Sequence, residues 1–385
     1  LRSRLIVFIS IIQTILFLGH WFLYVTWASF FGGIASSGTM KVALAALSVS
    51  FVLASLRGWY SHHPLLRMFY TAAAVWLGLA SYFLWASVLC WIVYGVVRVL
   101  GLGWAPRYIA AVLFGAAVMI AIYGIVNAAW LRVTRINVAL PNLPQPWRGR
   151  VAALVSDTHL GHVRNGRFIR RVVRKLADLQ PDIVFLAGDL YDGMAADFEK
   201  LAEPWHELTS PSTAEPELRA DSRATVKPPL GVYYIAGNHE EFYSHAEYHG
   251  PLVAAGVREL NNQKVEVDGL QVVGVHYADA AHPERYRQIL RNAALDRNRA
   301  SVLLLHAPVH MEVAEAEGIG LQLSGHTHGG QFYPYTWIAG RVWGRFIHGL
   351  QRTGNLQVYV NYGAGTWGPP LRVGTFAEIV LITFA

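Results

Sequence analysis

No aspartate or glutamate occurs before Asp157, so the first 156 residues carry basic side chains without acidic ones. Seven of the 32 Lys and Arg residues (Arg2, Arg4, Lys41, Arg57, Arg67, Arg98 and Arg107) precede position 132. The formal charge of +7 therefore belongs to that stretch, and the rest of the chain holds 25 charges of each sign. A basic balance usually raises nucleic acid as a partner. Here the charges flank apolar runs, and no nucleic-acid binding is expected. Charge is scarce overall, at 15% of 385 residues, against about 25% in an ordinary soluble domain. With 54% hydrophobic residues, the composition excludes intrinsic disorder and argues against a wholly soluble protein. The single cysteine, Cys90, excludes an intramolecular disulfide and a thiolate zinc site.

What fills the first third is apolar. Four runs, at 5–28, 40–56, 68–97 and 108–131, approach or exceed the ~20 residues that cross a hydrocarbon core. A cleaved secretory signal would be one short run with no spans after it, which does not fit. Trp21, Trp27, Trp59, Tyr60, Trp104 and Tyr108 lie towards the run ends, where amphipathic rings favour the interface. With the N-terminus inside, Arg2, Arg4, Arg57, Arg67, Arg132, Arg135, Arg148 and Arg150 fall on the inner side. Lys41, Arg98 and Arg107 fall on the outer side. This asymmetry predicts a multi-pass membrane protein with its C-terminal domain in the cytoplasm. The runs lack interior Asp, Glu and Lys, which favours an anchor over a transport pathway. His20 is the exception that keeps the second reading alive. Leu1 is not Met, so the native start can lie upstream.

Residues 132–150, with Pro141, Pro144 and Pro146, read as a stiff linker to an α/β domain over 151–385. Strands are predicted at 150–156, 183–187, 231–236, 270–276, 301–305, 321–324, 356–360 and 377–383. Helices are predicted at 167–179, 245–255, 283–295 and 309–316. The strand 150–156, the helix 167–179 and the strand 183–187 make a βαβ unit, and the whole suggests a layered domain with mixed sheets. Residues 209–229, rich in Ser, Thr, Pro, Glu and Ala, read as a flexible insertion.

Chemistry-bearing residues gather after the strands. The first runs into Asp157-Thr158-His159, the second into Gly188-Asp189 with Asp192 beyond, and the third into Gly237-Asn238-His239-Glu240. The strand 301–305 runs into His306, and 321–324 into Gly325-His326-Thr327-His328. Ligands of open α/β sheets bind beyond the carboxyl ends of strands, so these clusters can converge. Two carboxylates, one amide and four imidazoles are oxygen and nitrogen donors suited to Mn, Fe, Zn or Co. One bridging carboxylate would let seven side chains serve two ions. Two such ions ~3.5–4 Å apart can clamp both oxygens of an in-line displacement at phosphorus.

The ordered set D-x-H, GD, GNH, strand-end H and GHxH resembles the calcineurin-like metallophosphoesterase superfamily, and a four-span anchor ahead of it resembles a bacterial branch. The resemblance implies a four-layer αββα fold and two divalent ions, manganese favoured. It implies Asp157, His159 and His328 as ligands of one ion, Asn238, His306 and His326 of the other, and Asp189 as the bridge. His239 is similar to the histidine that contacts phosphate and protonates the leaving oxygen, with metal-bound hydroxide as attacking group and no covalent phosphoenzyme. Glu240 stands where many relatives carry Asp. The resemblance points to a phosphodiesterase or pyrophosphohydrolase. The anchor adds a lipid-borne or nucleotide-linked substrate, as in membrane relatives that cleave the pyrophosphate of UDP-diacylglucosamine. The alternative is a membrane sensor or binding module with an inactive metal domain.

Three features sit outside that set. The aromatic-basic stretch 333–350, with Trp337 and Trp343, is either core plus turn or a wall for an amphiphilic substrate. Arg372 is a candidate phosphate contact. The five basic residues Arg167, Arg170, Arg171, Arg174 and Lys175 on the helix 167–179 make either a solvated face or a face that docks on an anionic leaflet.

Overall fold

A computed structural model of the chain describes residues 2–209 and 228–385. The insertion expected at 209–229 falls almost wholly outside the described residues. The chain divides into two compact units, one of residues 1–127 with 368–373 and one of residues 128–367 with 374–385.

The first unit is built on four helices, α1 (Arg2–Phe31), α2 (Gly38–Gly58), α3 (Pro64–Val99) and α4 (Pro106–Ala129). All four are long and apolar enough to cross a membrane. They are apolar around their whole circumference, and Val42, Met68 and Val112 are 70%, 69% and 71% exposed. Water would penalise such a surface and hydrocarbon would not. Their starts follow from local chemistry. Ser37 caps α2 by accepting from Met40 N, and Pro64 opens α3, where its missing N–H costs nothing. His20 has an internal partner on each ring nitrogen: Nδ1 donates to Leu16 O (2.8 Å) and Nε2 accepts from Trp76 Nε1 (2.9 Å). These contacts make it a packing residue of the bundle.

The second unit has two six-stranded mixed sheets. The first runs β1 (Arg132–Val138), β12 (Glu378–Phe384), β2 (Val151–Val155), β3 (Ile183–Ala187), β4 (Val232–Ile235), β5 (Arg258–Glu259). The second runs β10 (Gly349–Thr353), β11 (Leu356–Val360), β9 (Leu321–Ser324), β8 (Ser301–Leu305), β7 (Leu270–Val275), β6 (Gln263–Val267). Alternation of side chains sorts the layers. Ala152, Leu154, Phe185 and Ile235 of the first sheet share a buried cluster with Val272, Val302, Leu304 and Leu323 of the second. Ala153, Val155, Val184 and Leu186 face the other way, onto α5 (Gly166–Leu179) through Ile169, Val172, Val173 and Leu176. Val273, Val275, Leu303 and Leu305 likewise pack on Tyr286 and Leu290 of the helix Pro283–Asn292. The order is helix, sheet, sheet, helix, as the resemblance implies.

The linker reading of 132–150 needs correction at its start. Arg132–Val138 is β1 and pairs in parallel with β12 at seven positions, from Arg132 with Glu378 to Val138 with Phe384. Its polar residues are tolerated because it is an edge strand with one neighbour.

Candidate metal centre

Strands β2, β3 and β4 are mutually parallel, as are β7, β8 and β9, so their carboxyl ends lie along common edges. Each motif follows one of these ends. The turns there are tight, and five of the seven candidate donors have left-handed backbone: Asp157 (φ 51°), His159 (47°), Asp189 (51°), His326 (73°) and His328 (49°). Each such non-glycine residue costs of order 1–3 kcal/mol, and clusters of them mark sites where chemistry overrides local preference. Two glycines make room for the donors. A Cβ on Gly237 would overlap the Asp189 carboxylate, and one on Gly325 would overlap that of Asp157.

The donors form two groups that meet at one carboxylate. Asp157, His159 and His328 bring ligand atoms within 4.8 Å of one another, as do Asp189, His306 and His326. In the first group His159 Nε2 is 2.9 Å from His328 Nε2, and Asp157 Oδ1 is 3.5 Å from His328 Nε2. In the second, Asn238 Oδ1 is 2.7 Å from His326 Nδ1 and 3.1 Å from His306 Nε2. Asp189 Oδ2 lies 3.2 Å from His306 Nε2 and 3.8 Å from His159 Nε2, between the groups.

Neighbouring atoms fix these side chains. His306 Nδ1 donates to Ala187 O (2.7 Å), which turns Nε2 towards Asp189. His159 Nδ1 faces Asp192 Oδ1 at 3.6 Å. Asp189 Oδ1 accepts from His239 N (2.9 Å), and Asp157 accepts from His326 N (3.0 Å). Glu240 is fully enclosed. Its carboxylate accepts from Gly237 N (2.7 Å), Asp189 N (3.0 Å) and Tyr191 N (3.0 Å), joining the loops after β3 and β4.

Charges are concentrated. Burial opposes ionisation of Asp189, but the imidazoles of His306, His239 and His159 outweigh it and hold the carboxyl well below its usual range. Burial likewise opposes charging of His306, yet Asp189 and Asp157 raise it to about 9. Burial and the Asp189 carboxylate push Glu240 up to about 7. Burial, reinforced by His306, lowers His326 to about 3. A potential that draws a proton onto His306 also draws divalent cations. Two carboxylates, an amide oxygen and four imidazoles in this spacing fit a pair of such ions with nitrogen and oxygen ligands.

His239 stands beside the first group, its ring 4.7 Å from that of His159. Its Nδ1 donates to Asp192 O (3.0 Å), leaving Nε2 as the atom that can exchange a proton with a bound ligand. Trp343 sets its ring against His326 at 5.4 Å, and Trp337 on the same helix, Tyr335–Trp343, is exposed. That helix buries none of its residues, so 335–343 lies at the surface and not in the core. Arg372 lies in 368–373, with the helical unit, where its N donates to Gly124 O and its O accepts from Asn127 Nδ2. Sequence reasoning missed Tyr277, 5.9 Å from His306 and 5.7 Å from His326, and gave no site role to Trp367, 5.8 Å from His239. Neither sits in a motif, so only the folded chain reveals them.

The calcineurin-like phosphoesterase family matches residues 151–330. A metallophosphoesterase of Campylobacter jejuni is 30% identical over 269 residues, covering 68% of this chain and 66% of the relative. A Danio rerio transmembrane protein with a metallophosphoesterase domain is 29% identical over 282 residues, covering 69% and 60%. A metallophosphoesterase of Aquifex aeolicus is 28% identical over 275 residues, covering 69% and 97%. The chain spans 66% of the length of the Campylobacter jejuni relative and 60% of that of the Danio rerio relative. Among solved structures, a dimetal phosphatase from Danio rerio covers 62% of this chain and 100% of its own at 14% identity, with a TM-score of 0.36. Motif order, site geometry and sequence likeness agree: the chain carries a calcineurin-like metallophosphoesterase domain, preceded in sequence by four long apolar helices.

Proposed function

We propose that this protein is a membrane-anchored, two-metal phosphoester hydrolase that cleaves a phosphodiester or pyrophosphate. The observation that carries this reading is Asp189 Oδ2 lying between two separate donor groups. Asp157, His159 and His328 would hold one divalent ion and Asn238, His306 and His326 the other, with Asp189 shared. When bound, such ions supply Lewis acidity at phosphoryl oxygens and an activated water. Asp192 orients His159, and Ala187 O orients His306. His239 approaches the substrate through Nε2, and a proton held there passes to the leaving oxygen, which helps poor alkoxide leaving groups most.

The exposed helix Tyr335–Trp343 supports a substrate with an apolar portion. Trp343 reaches the second donor group while Trp337, Ile338 and Val342 are 62%, 54% and 71% exposed on the same helix. A lipid-linked or nucleotide-linked phosphate ester suits this wall and the anchor. The resemblance to a bacterial membrane-anchored branch supports the bacterial inner membrane, and the arginine asymmetry supports an α/β unit in the cytoplasm.

Purified full-length protein in detergent, assayed with bis-p-nitrophenyl phosphate and Mn²⁺, tests the reading. Turnover that disappears with EDTA and returns with Mn²⁺ is expected. Absent turnover in metal-loaded protein would favour the inactive sensor. Trp343→Ala should slow hydrolysis of a lipid-linked ester several-fold more than that of the small ester. Equal losses would remove the wall.

A further inference from the structure

Apart from the centre around Asp189, three ligand atoms of His245, His249 and Glu259 lie within 4.8 Å of one another. The histidines are four residues apart on the helix His245–Ala254, hence on one face one turn apart, and Glu259 comes from β5. Glu259 Oε2 is 2.7 Å from His245 Nε2 and 2.6 Å from His249 Nδ1. These separations resemble the 2.7–3.2 Å found among Asn238, His306 and His326.

Three details distinguish this group from an ordinary surface ion pair. The imidazoles stack, with centroids 4.3 Å apart and planes 26° apart, so both present a nitrogen to the same oxygen. The Glu259 side chain is only 9% exposed, and its second oxygen accepts from Asn261 Nδ2 (2.6 Å), which fixes the carboxylate. The His245 and His249 side chains are 56% and 37% exposed, so the group is anchored below and open above.

We propose that His245, His249 and Glu259 form an additional site for one borderline divalent transition-metal ion, zinc by preference, with a position left for water. Two imidazoles and one carboxylate are a three-ligand zinc set. Calcium and magnesium need six or more oxygen ligands, which these residues do not supply. Asn261, whose side chain also accepts from Ala236 N (2.9 Å), links this site to the strand end that carries Asn238. The assignment does not depend on hydrolytic activity.

The test counts zinc. Full-length protein in detergent is stripped with EDTA, reloaded with Zn²⁺, desalted and analysed for metal per chain. The double variant His245→Ala/His249→Ala should hold one equivalent fewer than the parent, with bis-p-nitrophenyl phosphate hydrolysis under Mn²⁺ within two-fold of it. Glu259→Gln, which keeps the shape, should also lose that equivalent. Stripped Asp189→Ala protein loaded with Co²⁺ should show the visible absorption of tetrahedral cobalt, and that band should vanish when the double variant is added. An unchanged zinc count in both the double variant and Glu259→Gln would overturn the site, as would a cobalt band that survives the double variant.

Discussion

In the helical unit, several buried polar side chains are paired locally. His20 is held by Leu16 O and Trp76, and Trp91 Nε1 donates to Thr26 Oγ1 at 3.0 Å. In the α/β unit, buried polar side chains are aimed inwards at common points, and carboxylates are enclosed beside imidazoles. Asp157, Asp189 and Glu240 are all at most 2% exposed. Closed polar pairs cost little and hold a bundle together. Convergent charged groups are expensive to bury and persist where something else compensates them. The contrast separates a unit built to sit in a membrane from a unit built to do chemistry.

Four substitutions sharpen or break that contrast. Asp189→Asn removes the charge shared by the two donor groups and should lower turnover about 10³-fold, with unchanged circular dichroism. Activity near the parent's would break the comparison at its centre. Gly237→Ala forces the Asp189 carboxylate aside, and displacements of this size cost about 10²-fold. Added metal should not restore it, whereas a loss confined to metal affinity would be reversed by excess Mn²⁺. Asp192→Asn withdraws the carboxylate facing His159 Nδ1 and should weaken metal binding by about 10–100-fold, read as the Mn²⁺ concentration giving half-maximal rate. At the small end, Trp76→Phe deletes one hydrogen bond in the helical unit. It should destabilise that unit by about 1 kcal/mol, seen in thermal unfolding, and leave hydrolysis unaltered. A large catalytic effect there would give His20 more than a packing role.

The parts of this fold legible in the sequence are those with continuous apolar signal. β3, β8, β9 and β11 match their predicted bounds because they are buried on both faces and read as unbroken runs. β1, β6 and β10 went unread because each is an outer strand of its sheet and carries polar residues where the central strands have an unbroken apolar run, as in Gln263-Lys264-Val265-Glu266-Val267. β5 is two residues long, too short for any pattern. The donors of the centre were legible since each follows a strand end, and Asp189, Asn238, His326 and His328 also have glycine beside them. Glu240 looked like a minor variation. Its three backbone partners come from two loops, one of them some fifty residues away in sequence, so its part in the architecture could not be read from a local window.

That glutamate has a mechanical consequence. By gripping the backbone at Asp189, Tyr191 and Gly237 it rivets two loops into a single rigid piece, with His239 as the residue directly before the rivet. The His239 ring and the Asp189 carboxylate must then shift together or not at all.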